Sequence, residues 1–443
     1  MIRGIPKFYF KDILNIAGPI IMGNLAFMLI GVGDVIVAGR HSTQTLAAIS
    51  LATAITNSIM MLGIGILVSI SAILSNYRGE GKGAEKYFFP SLKFTFVLSL
   101  IISTLIWGFI PVIDYLGFEQ TLSPIIKDYF FITGFAVFGG FLHCMSKEYL
   151  QSFEIVLFPN ILSIFCIFLN VFLNIIFVFG YGGIPSMGAV GLAFASLLTR
   201  YFMGITLFLY CLKRIKIKYF EDKNYYKDLI KVGLPASLAV MIEFVGFNTI
   251  TIIMGRVAGI YAAAQNIVCT LTSISFMVPL AISNATAVKV GYCNGAKMIN
   301  SLKKYAYSGI LMSAGVMSIS AVIVAVFPEF LTSLFTKDKE LIAVCIPVVY
   351  LLCFFQVFDG LQVAFAGIFR GIKKTKVVMF SNFIAYWIIS LPLGTILALH
   401  FELNLVGFWY SLFIAAIVLC SIMSIYLLKY FKKAEIGINL DLG

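Results

Sequence analysis

Asp12-Ile13-Leu14-Asn15-Ile16-Ala17-Gly18-Pro19 opens a hydrophobic run that closes at Gly39-Arg40. Asp228-Leu229-Ile230-Lys231-Val232-Gly233-Leu234-Pro235 opens another that closes at Gly255-Arg256. The spacing is constant: 228 minus 12, 235 minus 19 and 255 minus 39 all give 216. It holds without a gap from Ala47-Ala48 onto Ala263-Ala264, and on from Gly79 to Gly295 in a polar loop. Unrelated segments would not keep register through Pro, Gly and loop positions for about seventy residues, so the chain is a duplicated half-molecule. Such duplication is common in secondary transporters.

Both copies are built for lipid. Of the 443 residues, 60% are hydrophobic and 12% charged, against roughly 25% charged in soluble domains. The mean hydropathy is +1.00, and apolar runs recur from end to end. The first run is long and carries no small-residue cleavage site, so we expect no cleavable signal peptide. The formal charge of +12 raises the question of nucleic acid. The basic residues sit in short loops between apolar runs, where membrane topology wants them, and no soluble basic face is available for nucleic acid. The eight cysteines are scattered without a CxxC pair and read as small buried hydrophobes.

Hydropathy gives twelve spans, at 13–38, 46–75, 92–114, 125–148, 156–180, 188–212, 229–255, 262–290, 305–328, 340–368, 377–400 and 405–430. The expected fold is an all-α integral membrane protein with two six-helix bundles. They form parallel repeats about a pseudo-twofold axis along the membrane normal. The N-lobe covers 1–212, a basic linker 213–228, and the C-lobe 229–443. Lys and Arg favour one side by about five to one, including Arg3, Arg78, Lys147, Lys213, Arg214, Lys216, Lys218, Lys297, Arg370 and Lys432. The other side carries Arg40, Lys127, Arg256, Lys337 and Lys339. Both termini are therefore expected in the cytoplasm, and substrate is expected where the halves face each other.

Most acids lie in loops, but Asp34, Glu243 and Asp359 do not. An ionised carboxylate at a helix centre costs ~2.5–3.5 kcal/mol on insertion scales, so three such residues need a reason. They can carry a proton or supply hard oxygen ligands to Na⁺; the plainer alternative is a structural acid paired with backbone or a base. The acids break the repeat: position 34 maps to Ile250, and Glu243 maps back to Phe27. Asn170 and Asn174 are spaced i, i+4 on one helix face, as neutral oxygen ligands or as interhelical hydrogen-bonding groups. Ser196 alone reads as a small packing residue. Arg200 is the basic residue placed deepest in a span, open to snorkelling or to pairing with an acid. His143 reads as packed or loop-facing rather than as a proton relay. Pro19, Pro235 and Pro279 each remove a backbone donor, and Pro19 and Pro235 are repeat equivalents suited to helix bending. No catalytic constellation or soluble sensing domain is evident, which argues against an enzyme or a receptor.

Several stretches resemble the multidrug and toxic compound extrusion (MATE) family. They are Gly33-Asp34-Val35-Ile36-Val37-Ala38-Gly39, Asn170 to Asn174 running to Phe179-Gly180, and Gly188-Ala-Val-Gly191-Leu-Ala193. Gly233-Leu-Pro235 and Phe369-Arg370-Gly371 with Thr375-Lys376 add to them. Gln356-Val-Phe-Asp359-Gly-Leu-Gln362 and Tyr386-Trp387 to Leu391-Pro392 resemble the NorM-like branch. The resemblance implies a V-shaped pair of bundles that export organic cation drugs in exchange for Na⁺ or H⁺, with no cofactor. It implies that Glu243 and Asp359 form the second-lobe cation (Na⁺) site, and that Asp34, Asn170, Asn174 and Ser196 form the first-lobe cluster. Relatives carry Tyr at Phe355 and His at Ala264. We expect an inner-membrane monomer whose partners are the drug, the coupling cation and the bilayer. Two acidic clusters would permit two ions per substrate. A flippase for lipids or lipid-linked oligosaccharides from the same wider superfamily is the alternative. It calls for a broad basic cavity, whereas the intramembrane charges here are mostly acidic.

Overall fold

The computed structural model describes residues 5–215 and 220–441. Arg3, Lys216 and Lys218 lie outside the described residues. Among the described residues there are twelve helices long and apolar enough to cross a bilayer: α1 Lys7–His41, α2 Thr43–Gly79, α3 Ala84–Leu116, α4 Ser123–Ser152, α5 Leu157–Phe179, α6 Gly188–Arg214, α7 Lys223–Val257, α8 Gly259–Gly295, α9 Ile299–Val326, α10 Lys339–Gly371, α11 Thr375–His400 and α12 Asn404–Ile436.

Each expected span corresponds to one helix, and most helices are longer than the apolar run that announced them. A helix stops where its end groups find caps, not where hydrocarbon stops. Ser42 accepts the Thr45 N–H at 3.0 Å to start α2, Asp338 accepts the Glu340 N–H at 2.9 Å to start α10, and Gly180 takes φ +81° to end α5. Pro19, Pro235, Pro279 and Pro347 lie inside helices that continue through them.

Packing divides the chain into two units, and the divisions fall inside helices. The first unit is Pro19–Ser237, and the second is Met1–Gly18 with Leu238–Gly443. The two repeats thus exchange their opening segments, one at Pro19 and the other two residues after Pro235.

In the first unit α4 packs against α2, α3 and α6, and α5 lies against α6. Small residues set the approach of α4 to α6: a β-carbon on Gly204 would lie 2.7 Å from the Gly139 carbonyl oxygen. The opening of α7 is held here as well. The Ser237 hydroxyl donates to the Leu62 carbonyl at 2.6 Å, and the Tyr77 hydroxyl donates to Asp228 at 3.1 Å.

In the second unit α8, α9 and α12 surround α10. Buried Trp409 donates its indole N–H to Gln265 at 2.8 Å. The opening of α1 is fastened by Tyr305, whose hydroxyl donates to Asp12 at 2.6 Å, with the Lys289 ammonium 3.3 Å from the same carboxylate. Asp12 and Asp228 are equivalent in the duplication, and each accepts a tyrosine from the opposite repeat. Side chains such as Phe168, Phe172, Ile319 and Val322 are exposed, as a lipid-facing surface requires.

The helix α11 departs from regular geometry. Phe383–Ser390 and Ile396–His400 are wound in wide turns on either side of Leu391–Thr395. The Leu391 N–H reaches back five residues to the Tyr386 carbonyl. Pro392 has no N–H to give, and the ladder readjusts around it. The apolar run predicted the helix but not its winding.

Candidate cation sites

In the first unit, Asp34 is half-buried on α1 and faces α5. The Asn174 amide donates to its carboxylate at 2.6 Å and to the Asn170 oxygen at 3.1 Å. The i, i+4 spacing that put both asparagines on one face delivers them to the same place. Neither has any solvent exposure. Gly33 lets α1 come close: a β-carbon there would lie 3.0 Å from Val171. Ser196 acts on the same carboxylate from α6. Asn170 Nδ2 and Asn174 Oδ1 have no hydrogen-bond partner, leaving one donor and one acceptor unused in a buried cluster.

In the second unit, Glu243 of α7 and Asp359 of α10 lie within reach of each other's charge. Asp359 is buried and Glu243 half-buried. Gln362 donates to the Glu243 carboxylate at 2.8 Å, Asn382 at 3.4 Å, and the Tyr386 hydroxyl donates to the Gln362 oxygen at 3.2 Å. No Lys or Arg is among the groups acting on either carboxylate. The pair is ringed by neutral amides and hydroxyls and by no base. Among the described residues, three His, Cys, Asp or Glu side chains nowhere gather at one point. A transition-metal centre needs such a group, whereas a hard monovalent cation is served by two carboxylates with amide oxygens.

The MatE family model matches residues 19–176 and 235–396, two stretches whose first residues repeat the 216-residue offset. The chain belongs to the MatE family. It is 27% identical to a probable multidrug resistance protein NorM of Photorhabdus laumondii, over 94% of this chain and 95% of that one. It is 26% identical to the multidrug resistance protein NorM of Photobacterium profundum, over 88% of each. A solved outward-facing structure of a multidrug resistance MATE family transporter of the MOP superfamily superposes with a TM-score of 0.86. That match covers 96% of both chains at 20% identity and speaks to the fold.

This MatE chain is therefore a multi-pass membrane transporter and not an enzyme. Its structure brings Asp34, Asn170, Asn174 and Ser196 into one cluster and Glu243 with Asp359 into another. Pro19 lies at one limit of the packing units and Pro235 two residues before the other. His143, half-buried on α4, has an unpartnered ring nitrogen. Reading acids alone missed the amide shell of the second site. One signal was available: Gln362 is i+3 from Asp359 and shares its face of α10. Another follows from the repeat, since Tyr386 stands 216 residues after Asn170. Asn382 gave no signal, because only the fold brings α11 beside α7.

Proposed function

We propose that this transporter exports structurally diverse organic cations in exchange for a monovalent cation, Na⁺ before H⁺, by alternating access. The observation that carries the reading is the Glu243–Asp359 pair, two carboxylates served by neutral donors and no base. Such a pair attracts one kind of ligand, a cation, and an inorganic and an organic cation compete for it. Loading the small ion from outside displaces the drug, and losing it inside frees the carboxylates for the next drug. The names of the relatives, multidrug resistance proteins along almost the whole chain, support the substrate class.

Exchanging one monovalent ion for one monovalent drug moves no net charge, so the drive then comes from the ion gradient alone. The Lys and Arg asymmetry supports cytoplasmic termini, and the bacterial relatives support the inner membrane. We infer a monomer, each chain carrying both clusters. A lipid flippase would need basic groups for a phosphate head, and neither cluster offers a basic side chain in contact with its carboxylates.

The test is ethidium efflux, read as uptake into everted vesicles whose lumen stands for the outside. Efflux should respond to a Na⁺ gradient at fixed pH and collapse in the Glu243→Gln, Asp359→Asn double variant. Efflux that follows pH and ignores Na⁺ would make the ion a proton. Normal efflux in the double variant would remove the carboxylate mechanism altogether.

A further inference from the structure

A cavity of about 360 Å³ lies in the first unit between α3, α4 and the opening of α7, and it shares no residue with either acid cluster. Its floor is apolar. Phe89, Leu92 and Phe96 follow i, i+3, i+7 on one face of α3, and Phe138 of α4 sets its ring edge-on to Phe96 at 5.6 Å. Phe96 is exposed, as are Val97, Leu100 and Phe135, so the floor runs out onto a surface fit for lipid. Phe220 and Tyr226 supply the wall on the linker side. That wall is fastened to α3: the Tyr225 hydroxyl lies 2.6 Å from Ser91, Tyr87 donates to Asp222 at 3.2 Å, and Tyr226 stacks on Phe94 at 6.4 Å. The rim has the opposite character. The Lys93 ammonium lies 2.6 Å from the Glu221 carboxylate, and both side chains are exposed. Lys93 holds the Glu221 carboxyl below its usual range, so the rim carries one charge of each sign at neutral pH. Lys86 adds a cation 4.3 Å from the Phe220 ring. These residues stand at the Lys- and Arg-rich ends of their spans, where phospholipid headgroups lie.

We propose that this cavity seats one phospholipid with an amine-bearing zwitterionic headgroup, its acyl chain on Phe89, Leu92 and Phe96, its phosphate on Lys93 and its ammonium on Glu221. An exposed ion pair contributes little by itself, so Lys93 and Glu221 part at small cost to admit a headgroup. A headgroup with one charge of each sign then satisfies both. A purely anionic headgroup meets Glu221 as a like charge. A quaternary ammonium has no N–H to give the carboxylate and forfeits the charge-assisted hydrogen bond that an amine makes. The lipid would touch α3, α4 and the end of the linker together, and so tie Phe220 and Glu221 to the first unit. Nothing in the proposal depends on which substrate or ion the protein moves.

Native mass spectrometry of the purified full-length protein tests it. The protein is offered phosphatidylethanolamine, phosphatidylglycerol and phosphatidylcholine in equal amounts in detergent. One phosphatidylethanolamine should be retained, in preference to each of the others by about five-fold. Glu221→Gln should erase the preference for ethanolamine over choline and raise the retention of phosphatidylglycerol, because the carboxylate that reads the amine and repels the anion is gone. Lys93→Gln should weaken all three lipids, which share the phosphate. Both side chains are exposed, so both variants should fold, and elution on size exclusion checks that they do. Equal retention of the three lipids by the wild type would mean adventitious lipid only and overturn the proposal, as would no retention at all. A wild-type preference for phosphatidylglycerol would show a rim that reads negative charge alone, and it too would overturn it. So would a preference for phosphatidylethanolamine that survives in Glu221→Gln.

Discussion

Gln362 holds the Glu243 carboxylate with its amide nitrogen at 2.8 Å while its oxygen accepts the Tyr386 hydroxyl at 3.2 Å. One amide thus links an acid on α7 to a phenol on the widely wound part of α11. A π-type turn points a side chain where a regular helix would not, and such turns gather at functional sites. Here the wide winding includes the residue that orients the amide.

Gln362→Ala should remove a hydrogen bond to a charged group, of the kind that contributes roughly 1.5–3 kcal/mol. The Na⁺ concentration giving half-maximal ethidium efflux should rise by about ten-fold or more. Tyr386→Phe takes away a hydroxyl that donates to the Gln362 oxygen and also acts on the Glu243 carboxylate, and should shift it by a comparable factor. If Tyr386→Phe left the Na⁺ dependence unchanged, the phenol would have no part in the site.

The reciprocal fastening of the helix openings carries its own expectation. Tyr305→Phe removes one donor from Asp12, and Tyr77→Phe removes one donor from Asp228. Each should cost about 1 kcal/mol of stability. Because the two bonds lie in different packing units, the losses should add in the double variant, as they do for distant sites. Thermal melting of the detergent-solubilised protein checks this, and strong non-additivity would show that the two ends are coupled.

Most of the fold was legible because membrane folding depends on few variables. Twenty or so apolar residues make a span, and Lys and Arg orient it. The duplication also announced the matching prolines. The exchange of opening segments was not legible. Nothing in Asp12 or Asp228 says which repeat its tyrosine will come from, since that depends on three-dimensional packing. The sites were legible as far as charge is expensive: an acid among Ile and Val stands out, and so does an i, i+4 pair of asparagines. Neutral partners such as Asn382 cost little in a helix and leave no trace. Arg200 was visible in the sequence, but its placement over Gly140 and against the Met60 sulfur was not.

Gly204→Val should be severe for a steric reason independent of transport chemistry. Its β-carbon would meet the Gly139 carbonyl at 2.7 Å, backbone against backbone, so no flexible side chain can yield. Separating α4 from α6 disturbs the packing of both, and overpacking of this kind costs about 1–3 kcal/mol or more. Loss of folded protein, read by fluorescence-detected size exclusion, should precede any specific change in ion dependence. A well-folded Val variant with altered Na⁺ affinity would instead place Gly204 in the transport cycle.

Phe355 offers the opposite kind of change, a gain. It lies i−4 from Asp359 on the same face of α10, fully buried, with its ring edge-on to Trp409 at 5.5 Å and to Phe247 at 6.1 Å. Phe355→Tyr adds one neutral oxygen on the side of the carboxylates. Na⁺ gains from added oxygen ligands, whereas a proton on a carboxylate gains little. Sodium binding should therefore tighten by a few-fold, while the pH dependence of efflux at saturating Na⁺ stays where it was. The hydroxyl must enter a closely packed aromatic cluster, so the melting temperature should drop slightly without Na⁺ and recover with it, as ligand linkage requires. A Tyr variant that loses stability and gains no affinity would show that the para position points into the Trp409 cluster rather than at the ion. The second-unit site would then have to be completed from α11 alone.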